Sequence, residues 1–375
     1  MFKAFIALVA GAMALPTVGV DAFAAANGSD RISGPFTARN LAVYFVHGAS
    51  RSGPAPLTLA EALESGVATV FETGNVSRLA IQNDSDREVF VQAGDIVKGG
   101  RQDRVIAVSL LVPPKSGRVP IGAFCVEQGR WRKRGLEDVA RFHSATSVLP
   151  SKAAKLAIMQ PAEPKVGTPP RGQPGIVPHA APPGSHVQQR IILAPRKGDG
   201  GEAGRQQRVW ASVHAMQDKL TRNLDAPVRS DRSASSLQLS LENKRLAEAR
   251  DDLVAKLKAS ADGAEDIIGY VIAINGRVNS GDIYPSNALF RKMWPRLIAA
   301  AASEAIAERD DSKQGSAPPV AAVRAFLTAA DGAAAQHAKI DARLSRETRE
   351  AKGKAVVMAT RRSDGSYVHR SYVAH

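Results

Sequence analysis

The chain has 375 residues, of which 44% are hydrophobic and 23% are charged, so it is long and apolar enough to bury a substantial core. This composition excludes a wholly disordered chain, and the single cysteine excludes an internal disulfide framework. The formal net charge is +14, but the basic residues form no continuous stripe with interleaved aromatics, which argues against nucleic acid as the partner.

The N-terminus has the pattern of a secretory signal peptide. Lys3 precedes an apolar stretch, and Ala22-Phe23-Ala24 supplies a small-x-small cleavage site. We therefore expect a signal peptide over 1–24, cleaved near Ala24, and a secreted or periplasmic mature protein with no transmembrane segment. An uncleaved anchor helix is the alternative, but two glycines and a proline interrupt the apolar stretch.

The first half of the mature chain is predicted to be rich in β-strands. A β-branched and aromatic run from Leu41 to Val46 predicts the first strand, and Thr58-Leu-Ala-Glu61 is a capping box that predicts a short helix after it. Further runs, each bounded by Gly, Asn, Asp or Pro, predict strands at 67–72, 78–83, 88–92, 104–112 and 117–126. Short strands at this spacing favour a sandwich or a strongly curved sheet.

The segment 161–205 interrupts this pattern. It holds nine of the chain's 22 prolines and little apolar periodicity, so we predict a proline-rich disordered insertion there. A linker between two independent domains is the alternative, and composition does not decide between them. The predicted organisation is a signal peptide followed by one discontinuous α+β domain over 31–160 and 206–375.

Helices are predicted mainly in the second half. An amphipathic helix should run from Arg208 to about Leu224, and the capping box Ser235-Ser-Leu-Gln238 should open a second helix with leucines at seven-residue intervals. Two more helices are predicted, one opening at Pro285 and kinked or restarted at Pro295, and one over 318–330.

Two hairpins complete the predicted elements. Asn275-Gly276, between apolar runs, is the strongest hairpin signal in the chain, and Asp364-Gly365 indicates a final hairpin. The predicted fold class is therefore α+β, with a β-sandwich-like or curved, mainly antiparallel sheet and packed helices from the C-terminal half.

A first candidate cluster lies in the stretch from Gly94 to Arg104. Gly99 and Gly100 would let backbone amides approach a ligand, while Gln102 and Arg104 supply an amide and a guanidinium suited to an anion. The spacing fits neither a dinucleotide fingerprint nor a P-loop. The alternative is a glycine bulge between two strands, with its charges in solvent.

A second candidate cluster is Cys125-Val-Glu-Gln-Gly-Arg-Trp131. Arg130 would contact the anion, Trp131 would stack on it, and Glu127 would orient an arginine. Asp95 and Glu127 are also candidates for a catalytic acid and base, provided that they face each other across a cleft. The commoner alternative is that these carboxylates only form salt bridges with arginines.

Cysteine and histidine chemistry is not predicted. A phosphatase-type loop needs five residues between its cysteine and arginine, whereas Arg130 leaves four after Cys125 and Arg132 leaves six, so a buried structural cysteine is favoured. The eight histidines show no metal-ligand spacing. We therefore expect no metal and no cofactor.

These residues resemble the bacterial and archaeal ARPP family, whose name records an association with ADP-ribosylglycohydrolase and rhodanese-phosphatase proteins. The resemblance is carried by Gly94-Asp95, Gly99-Gly100, Gln102-x-Arg104 and Cys125-Val-Glu-Gln-Gly-Arg-Trp131, and it resumes at Gln207-x-Val-Trp210 and from Tyr270 to Asp282. It covers most of residues 35–160 and 206–310. It implies that both halves belong to one domain, but it implies no reaction.

Two positions depart from the family pattern. The chain carries Asp95 where Glu is usual and Asp103 where Asn is usual. Any hydrogen bond that needs an amide donor at 103 is therefore in doubt.

Together these features predict a secreted or periplasmic protein that binds a polar, anionic ligand, either a small molecule or an envelope polymer, at the two clusters. One alternative is a hydrolase for a phosphate- or ribose-containing substrate that uses the paired carboxylates. Another is a structural envelope protein, which the basic insertion and tail hold to anionic polymers. The residues alone do not choose among the three.

Overall fold

A computed structural model describes residues 31–159, 201–313 and 315–375. The first of these ranges is mostly β-structure. Its elements are β1 (Ile32–Ala38), β2 (Leu41–His47), β3 (Leu57–Thr58), α1 (Leu59–Glu64), β4 (Ala68–Glu72), β5 (Arg78–Asn83), β6 (Val89–Val91), β7 (Asp95–Gly99), β8 (Arg104–Ile106), β9 (Leu110–Val112), β10 (Ser116–Cys125), β11 (Arg141–Val148) and α2 (Lys152–Met159).

The later ranges contain most of the helices. Their elements are α3 (Glu202–Leu224), α4 (Leu237–Leu241), α5 (Lys244–Leu257), β12 (Ile267–Ile274), β13 (Arg277–Ile283), α6 (Asn287–Ala307), α7 (Val320–Asp331), β14 (Ala335–Lys339), β15 (Leu344–Ala351), β16 (Ala355–Arg362) and β17 (Tyr367–Ala374).

An eight-stranded antiparallel sheet combines strands from both halves of the chain. Its order is β1-β2-β12-β13-β17-β16-β15-β14, so β2 pairs directly with β12. Alternate residues of β2 point to opposite faces, as the two-residue period of a strand requires. Phe45 contributes to the core that includes α6, where Trp294 lies 5.2 Å from its ring, and Tyr44 packs in the core that includes α7.

A closed six-stranded barrel stands beside this sheet. Its order is β10-β5-β4-β11-β7-β8, and all its neighbouring strands are antiparallel. A small third sheet, β3-β6-β9, accompanies the barrel. Closure leaves the barrel without free edges, so its hydrogen-bonding groups are paired around the ring.

The predicted fold class is confirmed: the protein is α+β with mainly antiparallel sheets, and the expected curvature takes the form of the barrel. The capping box is present, since the Thr58 side chain accepts from the Glu61 amide and the Glu61 carboxylate accepts from the Thr58 amide. The hairpin at Asn275-Gly276 is also confirmed, with φ values of 51° and 74° at the two turn residues.

Three predicted elements were wrong in detail. The predicted strand 104–112 is two strands, because the chain leaves the barrel after Ile106 and joins the small sheet at Leu110. The helix expected from Ser235 is two helices, capped by Ser236 and Asn243. Helix α6 is continuous through Pro295, so the restart predicted there as one of two alternatives does not occur.

Six strands were not predicted at all: β1, β3, β7, β11, β14 and β15. β3 has only two residues. Each of the other five carries Gly, Pro or several polar residues, so none has a clean alternating apolar pattern. The predicted signal peptide, 1–24, lies outside the described residues, as does most of the predicted insertion. The last residues of that predicted insertion, from Glu202 to Arg205, lie in α3.

Candidate functional site

The two predicted clusters meet at one end of the barrel, which we call the mouth. β7 ends there at Gly99, β8 begins at Arg104, and Cys125 at the end of β10 pairs with Arg104. The tight turn after β7 requires glycine at position 100, where φ is +54° and a Cβ atom would lie 2.2 Å from the Phe142 ring. The strand ends thus bring the two clusters together.

Beneath the mouth lies a buried set of charges that we call the inner network: Asp103, Glu127, Arg130 and Arg134. Arg134 forms a two-pronged ion pair with Asp103, with both nitrogen–oxygen distances at 2.9 Å. Asp103 also accepts from the Gly99 amide and from the Ser236 hydroxyl. The Asp103 carboxylate therefore acts only as an acceptor, and none of these hydrogen bonds needs the amide donor that an Asn side chain would supply.

Glu127 is held as firmly as Asp103. Its carboxylate accepts from Arg130 Nε at 2.7 Å, from the Ser233 hydroxyl and from the Asp103 amide at 3.0 Å. Burial pushes the pKa of Glu127 upward, but the hydrogen bonds from Arg130 and Ser233 outweigh burial and lower it. For Arg134, hydrogen bonds to Asp103 likewise outweigh burial and raise the pKa. Both residues are therefore charged.

Arg130 does not point its charge at solvent. Only 8% of the residue is exposed, and its guanidinium donates to the Gly99, Gly100 and Arg132 carbonyls as well as to Glu127. The Gly99 and Gly100 amides also bond within the chain, the latter to the Asp138 and Arg141 carbonyls. The predicted ligand contacts of Arg130, Gly99 and Gly100 are therefore occupied by the protein itself.

Arg104 is different. It is fully buried, but only its Nη1 donates a hydrogen bond, to the Gln102 carbonyl at 2.8 Å. Nε and Nη2 have no hydrogen-bond partner among the described residues, although Nη2 lies 3.5 Å from Glu72 Oε2. Gln102 itself is buried, with 5% exposed.

Trp131 covers this guanidinium. Its ring centroid lies 5.7 Å from Arg104 Cζ and 5.3 Å from Arg101 Cζ, and 42% of the residue is exposed. The ring therefore lies between buried Arg104 and solvent, within the range of cation–π attraction. We call Glu72, Arg101, Arg104 and Trp131 the Arg104 site.

Asp95 and Glu127 are not brought together. Asp95 begins β7, and its carboxylate accepts from the Gln92 amide and from Arg296. The other end of β7 contacts the inner network, because the Gly99 carbonyl accepts from Arg130. A rise of about 3.3 Å per residue separates the two ends of β7 by about 13 Å. The proposed acid and base pair thus has no common cleft at the mouth.

Cys125 is buried beside Arg104. Burial raises the pKa of its thiol to about 11, an effect that the nearby Arg104 charge only partly offsets. Its backbone is paired with the Gln206 amide side chain in both directions. This environment is that of an inert structural thiol, in agreement with the sequence-based interpretation.

A second buried polar group, which the sequence analysis missed, links the small sheet to the large one. The Ser109 hydroxyl lies 2.9 Å from His369 Nδ1, His369 Nε2 lies 3.2 Å from Asp282 Oδ1, and the Tyr270 hydroxyl donates to Asp282. All four side chains are nearly fully buried, and the Tyr284 ring lies 5.0 Å from the imidazole. No motif could reveal this group, because Ser109 and His369 are 260 residues apart.

The order Ser, His, Asp resembles a catalytic triad, but these side chains face the core. Burial pushes the pKa of Asp282 upward, yet the hydrogen bond and charge of His369 outweigh it and hold that pKa at about 2. The arrangement therefore ties two sheets together and presents no nucleophile to solvent.

A cavity of about 410 Å³ lies away from the mouth, between the loop 51–56 and the start of α6. Its most polar residues include Glu88 and Arg362, which form an ion pair at 2.7 Å. Within the described ranges, no three His, Cys, Asp or Glu side chains converge as they would around a metal ion. None of the helices in those ranges is long and apolar enough to cross a membrane.

The fold defines an α+β protein in which the two sequence clusters meet at a charged barrel mouth. The chain belongs to the ARPP-1 family, the ARG and Rhodanese-Phosphatase-superfamily-associated Protein domain, whose model matches residues 30–373. The predicted family resemblance is thereby confirmed. Neither a curated protein nor a solved structure matches the chain.

Proposed function

We propose that the protein binds a small oxyanion, a carboxylate or phosphate group, at the Arg104 site. One observation carries this proposal: a fully buried guanidinium leaves Nε and Nη2 without hydrogen bonds among the described residues. Buried polar groups in proteins are almost always paired, and an unpaired charged donor costs several kcal/mol. An anion with two oxygens would supply the missing pair of acceptors in the planar geometry that arginine favours.

Glu72 does not fill this role. Its Oε1 accepts from the Thr73 and Gly74 amides, and its Oε2 accepts from the Arg101 amide. The carboxylate is therefore committed to the backbone and approaches Arg104 no closer than 3.5 Å. The Arg104 site contains two guanidinium groups, those of Arg101 and Arg104, and only the Glu72 carboxylate. Its net charge is therefore positive.

Trp131 would control access to Arg104. The ring lies over the guanidinium, so an anion reaches Nε only after the side chain swings toward solvent, where it is already 42% exposed. The inner network supports this movement without taking part in it. The Glu127–Arg130 pair and the bond from Arg130 to the Arg132 carbonyl fix the backbone on both sides of Trp131.

The test is a calorimetric and thermal-shift titration of the full chain with inorganic phosphate, sulfate, acetate and citrate. We expect saturable binding of at least one anion, with about 2.7 kcal/mol of stabilisation at about 100 times the dissociation constant. Arg104→Lys keeps the charge but loses the fork, so its affinity should fall by about 10- to 100-fold.

The control is Arg245→Ala, which removes one positive charge from an exposed position on α5. Its affinity should match that of the wild type. Equal weakening in the two variants would show that only net charge matters, and binding that survives unchanged in Arg104→Lys would exclude the Arg104 site.

We also propose that the protein works outside the cytoplasm, as a secreted or periplasmic protein. Support comes from the charged, apolar and small-residue pattern of residues 1–24. N-terminal sequencing of the protein from fractionated cells should give a mature chain that starts near Ala25. An intact Met1 in the cytoplasmic fraction would contradict this.

A further inference from the structure

The exposed apolar side chains are concentrated at the mouth. Among the described residues, the large hydrophobic side chains that are exposed are Val76, Trp131, Leu136 and Val139, with Leu136 98% exposed. All four lie in two segments, 73–78 and 131–141, which we call the rim. Each segment is a loop that ends on the first residue of a strand, β5 or β11. Single exposed apolar residues are normal, but their collection at one end of a molecule marks an interaction surface.

The same two loops carry unpaired positive charge. Arg78, Arg132, Lys133 and Arg141 are exposed and form no ion pair with any described residue. The acidic residues of the rim offset little of this charge, because Glu137 is already paired with Arg134 at 3.0 Å. Asp138 is the remaining exposed carboxylate, and one of its oxygens accepts from the Ala140 amide.

The rim is held in place from below. Arg134, which lies between the exposed Lys133 and Leu136, is anchored on Asp103, and the Asp138 carbonyl accepts from the Gly100 amide. Along this loop the buried Arg134 is followed by the exposed apolar residues Leu136 and Val139. The apolar side chains project from a supported loop, so they form a fixed surface.

We propose that the rim docks on an anionic lipid bilayer. Apolar side chains and a tryptophan beside arginine and lysine match the interface of such a bilayer, where the apolar groups enter the headgroup region and the cations meet anionic lipids. A polysaccharide or nucleic acid would use the cations but would leave Leu136 and Val139 in water. The rim shares Trp131 with the Arg104 site, but Leu136, Val139 and the exposed cations of the rim do not belong to that site. Docking can therefore be tested at Leu136 and Val139 without changing a residue of the Arg104 site.

The experiment is co-sedimentation of the full chain with vesicles of mixed phosphatidylcholine and phosphatidylglycerol, and with vesicles of phosphatidylcholine alone. We expect binding to the anionic vesicles, weaker binding at high salt, and a loss of about tenfold or more in Leu136→Asp/Val139→Asp. Ala334→Asp, an exposed substitution near an edge of the large sheet, adds negative charge elsewhere and should keep the wild-type affinity.

Three results would overturn the proposal: no binding to anionic vesicles, equal binding to phosphatidylcholine alone, or equal losses in the rim and control variants. Because both rim positions are exposed, the thermal transition of the double variant checks that it is folded. The affinity of the double variant for inorganic phosphate should be unchanged. Vesicle binding and phosphate binding are measured independently, so the docking proposal and the Arg104 proposal can fail independently.

Discussion

Two arginine clusters lie side by side at the barrel mouth. They differ in how many of their guanidinium nitrogens form hydrogen bonds within the protein. In the inner network, Arg130 and Arg134 meet carboxylates and carbonyls within the chain. In the Arg104 site, a guanidinium that is just as buried keeps two nitrogens without hydrogen bonds among the described residues. The two clusters contain the same residue type, and Arg104 is at least as buried as Arg130 and Arg134. They differ in whether the guanidinium nitrogens have hydrogen-bond acceptors within the protein, and this difference separates the inner network from the proposed binding group.

The proposed function gives a reason for the adjacency of the two clusters. If the Trp131 ring moves aside for an anion, as we propose, the loop that carries it must keep its backbone in place. The inner network supplies this rigidity through bonds to Gly99, Gly100 and Arg132, all of which end on backbone atoms. In the proposed function, the buried charges of the inner network therefore position the Arg104 site and do not themselves contact the anion.

Breaking the inner network should have the largest effect on stability. Arg134→Met leaves Asp103 and Glu127 buried with fewer counter-charges, and loss of one partner from a buried pair costs about 3–5 kcal/mol. Urea unfolding followed by circular dichroism measures this loss. The control is Arg132→Ala, an exposed neighbour, which should change the free energy of unfolding by about 0.5 kcal/mol or less.

If Arg134→Met and Arg132→Ala unfolded at the same urea concentration, the inner network would not be the scaffold of the mouth. A fall in phosphate affinity with unchanged stability would be equally damaging, because it would make Arg134 a binding residue.

The buried Ser109–His369–Asp282 group is a second cluster whose side chains interact with one another inside the protein. The folded-state pKa of Asp282, about 2, lies below its ordinary value, so the charged carboxylate stabilises the fold above about pH 4. This contribution, about 2 kcal/mol, should be lost as the pH falls from 4 toward 2. Urea titrations across that range should show a shallower acid slope for Asp282→Asn than for the wild type, and equal slopes would refute the assignment.

The smallest expected effect is on the reactivity of the Cys125 thiol at the mouth. Because burial raises the pKa of the Cys125 thiol from 9.0 to about 11, its thiolate population at pH 8 should be about 100-fold below that of an ordinary cysteine. Alkylation by iodoacetamide should accordingly be slow in the folded protein and fast in urea. Rapid alkylation of the native chain would mean that the mouth is open beside Arg104.

The sequence predicted the local features of the fold well. The capping box at Thr58, the turn at Asn275-Gly276 and the class of the fold all follow from short-range chemistry. The polar strands β7, β11 and β15 were missed, because they are specified by their neighbours in the barrel or sheet and not by their own composition.

For the site, the sequence identified the segments that meet at the mouth. It did not predict which of their arginines form hydrogen bonds within the protein. It grouped Arg104 with Arg130. In the structure Arg130 donates to Glu127, and the carboxylates of the inner network also accept from Ser233 and Ser236, which are more than 100 residues away in sequence. Asp103 was noted only as a departure from the family pattern. Its pairing with Arg134 could have been suspected only from the basic run after Trp131.

The most direct test of the division at the mouth is a ¹H–¹⁵N spectrum of the arginine Nε–H groups of the full chain, titrated with inorganic phosphate. Arg104→Lys assigns the Arg104 signal by its disappearance. We predict that this signal shifts and saturates, because Arg104 Nε lacks a protein partner. The Arg130 signal should stay in place, because its Nε donates to Glu127 at 2.7 Å. A stationary Arg104 signal, or an Arg130 signal that moves in its stead, would contradict the distinction between the two clusters.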